Sequence, residues 1–196
     1  MVLFAKCKRS AKRILSNILP YIENKLKLRV SREKTSVSYI GRIKFLGYGF
    51  YPSKTGIKAR VHSKTVAKMK VRIREITSRS NALGYEILKR KLKDFVTGWV
   101  NYFKLADMKM ILTNTDRWLR RRIRMYIWKR WKKVKTRYKM LRKLGFDHNN
   151  ARKYSCTRKG YWHIAKSQIL SCTITDNRLR KAGYTFFLDY YKTVVA

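Results

Sequence analysis

Residues 113–146 read TNTDRWLRRRIRMYIWKRWKKVKTRYKMLRKLGF, and this stretch decides how the chain is built. Leu119, Ile123, Tyr126 or Ile127, Trp131, Val134, Tyr138 and Leu141 recur every three or four residues, the spacing of one buried helix face. Thr113 with Asp116 three residues on predicts a capping-box-like start, with the carboxylate at the positive helix end. Gly145, just past the last apolar turn, predicts the stop. Around the stripe lie 14 Lys and Arg, and no acidic residue occurs from Arg117 to Phe146. A solvated helix face normally mixes signs, because like charges at i,i+4 repel by a few tenths of a kcal/mol. Uncompensated over some seven turns, this repulsion points to a polyanionic partner.

Arginines dominate the N-terminal end of the run, where planar donors grip phosphates in pairs. Arg117, Arg120, Arg121, Arg124, Lys129, Lys132 and Lys133 are the candidate contacts to that polyanion. Replacing Arg120, Arg121 and Arg124 with Ala is expected to weaken binding and leave the fold intact. Trp118, Trp128 and Tyr102 fit either stacking on bases or a helical core. A membrane surface also attracts basic amphipathic helices. Apolar faces on several successive helices pack more naturally on each other, so nucleic acid is the preferred partner.

The whole chain agrees with this. Its 196 residues carry 50 Lys+Arg against 10 Asp+Glu, a net charge of +40. Leu, Ile, Val and Phe total 51 residues, about 26%, above the roughly 20% below which charged chains stay disordered. No apolar run approaches the roughly 18 residues of a membrane span. Met1 to Ala5 has no basic region before it and does not read as a signal peptide. Cys7, Cys156 and Cys172 show no CxxC spacing. His148, Cys156, His163 and Cys172 match no common ligand pattern, so no metal site is expected. Three unpaired thiols suit a reducing compartment, cytoplasmic or an organelle matrix.

Upstream, Ser10 is a plausible N-cap for a helix carrying Ile14, Leu15, Ile18, Ile22 and Leu26, which Pro20 kinks or divides. Leu28 and Val30 suggest a short strand. Residues 43–51 and 56–61 predict a hairpin turning between Pro52 and Gly56. Gly47 and Gly49 fit a bulge, a close backbone approach, or packing alone. Residues 63–76 read as a helix with Val66, Met69, Ile73 and Ile76 on one stripe. A second helix places Tyr85, Leu88, Leu92, Phe95, Trp99 and Phe103 on one face. Beyond Gly145 come shorter helices over 149–158, 162–173 and 176–181, then an aromatic tail.

Several of these stretches resemble group II intron reverse transcriptase/maturases in order along the chain. Leu92, then Gly98-Trp99-Val100-Asn101-Tyr102-Phe103, resembles the signature of their maturase-specific domain. Asp116-x-Trp118-Leu119-x-Arg121-Arg122-Ile123-Arg124, Trp128, Trp131 and Lys159-Gly160-x-Trp162 continue it. Lys44-Phe45-Leu46-Gly47-Tyr48 resembles the late palm motif that grips a primer end, which makes Phe45, Leu46 and Gly47 primer-grip-like candidates. Leu28 to Thr35 resembles the preceding palm segment, and Lys34 matches its nucleotide-facing lysine.

The resemblance implies an α+β chain. Residues 1–62 form a partial reverse-transcriptase palm, a β-sheet remnant with one helix. Residues 63–146 form the thumb or maturase-specific domain, a three-helix bundle. Residues 147–196 are its helical C-terminal extension. The family's Tyr-Ala-Asp-Asp-type tetrapeptide has no counterpart here, because the chain starts where that motif ends. Glu23, Glu33, Glu75 and Asp107 are scattered and form no catalytic pair, and two-metal phosphoryl transfer needs such carboxylates. The expectation is therefore no catalytic residue and no cofactor in this chain, with Mg²⁺ belonging to the complete enzyme or the intron RNA. Implied partners are group II intron RNA, a template–primer duplex and an N-terminal reverse-transcriptase portion, with no membrane. The implied function is RNA binding that assists intron folding and splicing. A polymerase piece active only with its missing portion and a degenerate intron-encoded remnant stand as alternatives.

Overall fold

The computed structural model describes residues 2–81 and 83–195, and the chain is α+β. It divides into two compact units, Met1–His62 and Ser63–Ala196.

In the first unit, helix α1 (Lys8–Pro20) starts one turn earlier than Ser10, because the Cys7 Sγ accepts the Ser10 N–H at 3.4 Å. Pro20 has no N–H for the helix ladder. Beyond it the backbone widens into a single π-turn, closed by the Leu26 N–H on the Tyr21 carbonyl at 3.2 Å. The strand expected at Leu28 and Val30 does not form. Lys27 adopts a left-handed conformation (φ 54°), and the Leu28 N–H returns to the Ile22 carbonyl instead of entering a ladder.

Three antiparallel strands follow: β1 (Lys44–Phe45), β2 (Tyr48–Ser53) and β3 (Gly56–Val61). The β2–β3 hairpin turns between Ser53 and Gly56. The segment read as one strand over 43–51 is itself a hairpin. Phe45 pairs with Tyr48, and Leu46 (φ 49°) and Gly47 (φ 86°) make the two-residue turn between them. Both central residues have positive φ, the geometry whose twist suits paired strands. Gly47 is thus the turn residue and no bulge. Among the described residues of this unit only Gly49 and Val61 are buried.

The second unit is helical. Its first three helices are α2 (Ser63–Ile76), α3 (Tyr85–Phe103) and α4 (Lys109–Arg130). Met69, Ile73 and Ile76 bury the inner face of α2. On α3 the buried stripe is Leu88, Leu92, Val96, Val100 and Phe103, which keeps Leu88, Leu92 and Phe103 of the sequence reading and puts Val96 and Val100 in place of Phe95 and Trp99. Phe95 and Trp99 lie on its flank, both edge-on to Phe187 at 6.1 and 5.6 Å. On α4, Leu112, Leu119, Ile123, Tyr126 and Trp128 are buried. Each such side chain contributes roughly 1.5–3 kcal/mol of transfer free energy. The Tyr126 hydroxyl donates to the Leu83 carbonyl and ties down the α2–α3 connection.

The basic run is two helices, not one. α4 ends at Arg130, residues 131–133 are irregular, and α5 spans Val134–Lys143. No Pro or Gly causes the break, so the seam residues do. Trp131 is buried edge-on to Trp128 at 5.8 Å, and the Arg137 Nε–H caps the freed Trp131 carbonyl at 2.9 Å. Val134 is accordingly 48% exposed and leaves the predicted stripe. Short helices α6 (His148–Ser155), α7 (Tyr161–Ile164), α8 (Gln168–Thr173), α9 (Asp176–Lys181) and α10 (Phe187–Val195) complete the unit. α6 packs on α5, α7 on α4, and α10 on both α3 and α4.

α4 starts at Lys109, so Thr113 and Asp116 are not its cap. Asp116 is fully buried and caps α10 across the bundle. Its two oxygens accept the Phe187 and Leu188 N–H groups at 3.0 and 2.8 Å.

Candidate nucleic-acid interface

At least seven of the ten carboxylates have partners within the chain. Glu23, Glu75 and Glu86 pair with Arg32, Arg72 and Lys89. Asp176 pairs with Arg120 and Arg124, and Asp189 pairs with Arg180. Asp116 caps α10, and Asp147 caps α6 through the Asn150 N–H at 2.9 Å. Among the described residues no group of three or more His, Cys, Asp or Glu could hold a metal ion.

With so few acids, arginines turn to the carbonyls that helix ends leave without partners. Arg122 donates from Nε to the Thr77 hydroxyl at 2.6 Å and from Nη2 to the Arg74 and Thr77 carbonyls at 3.2 and 3.3 Å, closing the end of α2. Arg124 donates to the Ile174 carbonyl, the C-cap of α8, at 2.9 Å. Arg121 reaches the Trp162 carbonyl at 2.9 Å and lies 3.7 Å from the centroid of its ring. Arg178 reaches the Thr173 and Leu144 carbonyls at 2.6 and 2.9 Å. Guanidinium suits this task, because its fork meets several carbonyls at once and it is weakly hydrated. Burial still opposes the charge and draws Arg121, Arg122 and Arg124 below their ordinary values. The Arg74 charge adds to that for Arg122.

The expected RNA contacts therefore separate. Arg120 and Arg124 are 15% and 12% exposed at the side chain and are bound to Asp176. Arg121 is held on Trp162. These three hold the domain together, which corrects the expectation that replacing them leaves the fold intact. Lys129 is half-buried, with Nζ 5.1 Å from the Tyr161 ring centroid. Arg117, Lys132 and Lys133 are exposed. Phe45, Leu46 and Gly47 belong to the first unit, where they form the β1–β2 turn and Leu46 is 65% exposed.

The aromatics divide in the same way. Trp128 is core, Trp118 has the Arg74 and Arg122 guanidiniums each 5.5 Å from its centroid, and Tyr102 is exposed.

Beyond the α4 break the exposed charge continues through Lys135, Lys139 and Lys143 on α5 and through Arg152 and Lys153 on α6. The i, i+4, i+8 spacing of the α5 lysines marks one helix face. From 117 to 175 there are 19 Lys and Arg and one acid, Asp147, which is occupied as a cap. On α4 Arg120, Arg121, Arg122 and Arg124 turn inward, and Lys132, Lys133, Lys135, Lys139 and Lys143 beyond its end are exposed.

This arrangement defines a helical domain whose exposed charge over 117–175 is almost entirely positive. Residues 66–145 match the family model described as the group II intron, maturase-specific domain. The match runs from α2 to the glycine after α5, and α6–α10 fold with it in one unit. No curated protein matches the chain. No helix among the described residues is long and apolar enough to cross a membrane.

Proposed function

We propose that this chain binds group II intron RNA through the lysine-rich face at the end of α4 and along α5 and α6, and assists the RNA in reaching its splicing-active fold. The observation that carries this reading is the 19-to-1 excess of cations over 117–175, within and beyond a matched maturase-specific domain. Lysines on a rigid helix pair contact phosphates and recognise the shape of a folded RNA more than its base sequence. The chemistry of splicing belongs to the RNA on this reading, and Mg²⁺ enters with it.

The test is binding of the purified chain to a group II intron RNA and to an unrelated RNA of equal length, across a salt series. With about six phosphate contacts, affinity falls roughly a thousandfold between about 50 and 200 mM salt. Preference for the intron RNA at the upper end supports the maturase reading. Equal binding to both RNAs contradicts it.

One observation favours a second reading, a polymerase piece completed by another polypeptide. The first unit exposes Leu3, Phe4, Tyr21, Leu26, Leu28, Tyr39 and Ile57 and has almost no core among its described residues. Restored primer extension on mixing with a fingers–palm fragment, and none without this chain, would support it.

A further inference from the structure

Four residues on α4 share one face at spacings of four, three and four: Thr113, Arg117, Arg120 and Arg124. With Ser171 of α8 and Asp176 of α9 they line an open cleft of about 490 Å³. Three guanidiniums against one carboxylate leave the lining with a surplus of two positive charges.

The charges are unevenly satisfied. Arg124 is held by Asp176 Oδ1 at 3.0 Å and by the Ile174 carbonyl. Arg120 Nε lies 3.2 Å from Asp176 Oδ2 but is not aligned on it, and this buried nitrogen has no hydrogen-bond partner. The Arg120 guanidinium is 4.7 Å from the Phe186 ring centroid, and stacking of this kind leaves the guanidinium edge for an acceptor in its plane. Arg117 is exposed. The two hydroxyls are spent as donors, Thr113 to the Lys109 carbonyl at 2.8 Å and Ser171 to the Ser167 carbonyl at 3.0 Å. An incoming acceptor would therefore be held by the arginines.

We infer that this cleft is a phosphate-binding notch, in which Arg117 and Arg120 grip one phosphate group of the bound nucleic acid while Asp176 and Phe186 hold Arg120 in place. The inference deepens the RNA-binding reading and rests on it for the source of the phosphate. Phosphate fits the surplus of two charges, and paired guanidiniums match its oxygens.

The experiment has two arms on the full chain. In the first, inorganic phosphate is titrated while the Arg Nε–H resonances are followed by NMR. Saturable shifts at Arg117 and Arg120 are expected, and Arg117→Ala should abolish the shift at Arg120. Arg117 has an exposed side chain, so this variant keeps the fold, which its amide spectrum checks. No saturable shift, or an Arg120 shift unaffected by Arg117→Ala, overturns the inference.

The second arm compares 5′-phosphorylated and 5′-hydroxyl RNA of one sequence. About tenfold tighter binding of the phosphorylated strand, lost in Arg117→Ala, assigns the notch to a strand end. An equal loss for both strands assigns it to a backbone phosphodiester. Arg117→Ala binding both strands as tightly as the parent overturns the inference and leaves the RNA-binding reading standing. A parent chain that binds neither strand, while inorganic phosphate still titrates, removes the RNA reading and keeps the notch.

Discussion

Asp116 sits in mid-α4 among the arginines, yet its carboxylate serves the first N–H groups of α10. Burial pushes its pKa from 3.8 up to about 6, against the lowering effect of those two N–H groups and of Arg120. Because the folded value is raised, the stabilisation linked to this proton is complete below pH 3.8 and is lost as pH rises through about 6. The stability advantage of the parent over Asp116→Asn should therefore grow as pH falls from about 7 to about 5, read from urea midpoints. Asp116→Ala leaves one buried and one part-buried N–H group without acceptors and should cost about 2–4 kcal/mol, measured the same way. Arg122→Lys removes a fork that closes the end of α2 and should cost about 1–3 kcal/mol, although it keeps the charge.

The helix break after Arg130 is the feature that a helical pattern conceals. Trp131, Tyr138 and Leu141 keep the three-four repeat across it, and neither Pro nor Gly marks it. What stabilises it is a contact the sequence does not display, the Arg137 guanidinium on the Trp131 carbonyl, 5.0 Å from the Trp128 ring centroid. Arg137→Ala should cost about 1–2 kcal/mol, and hydrogen exchange should rise first at the start of α5. Other elements were legible because their signals are local. The stripes of α2 and α3 follow from period, and the β2–β3 turn from Pro52 and Gly56. The first hairpin was not, because Leu46 gives no hint that it adopts positive φ beside Gly47. The direction of the arginines was illegible for a different reason. A guanidinium reaching solvent and one reaching a distant carbonyl look alike in sequence, and the partners Trp162, Ile174 and Asp176 lie 41 to 52 residues away.

At the scale of the whole molecule, a chain of charge +40 folds with most of its few acids paired or capping helices and several of its arginines on its own carbonyls. The outward lysines of the second unit remain for a partner, and the matched maturase-specific domain makes that partner intron RNA on the proposed reading. The most direct test of this division is the salt dependence of intron-RNA binding for the parent and for the Lys132→Ala, Lys133→Ala, Lys135→Ala triple variant. The account predicts unchanged thermal stability and a slope of log affinity against log salt shallower by about two to three, one per lost phosphate contact. An unchanged slope and affinity would contradict the account.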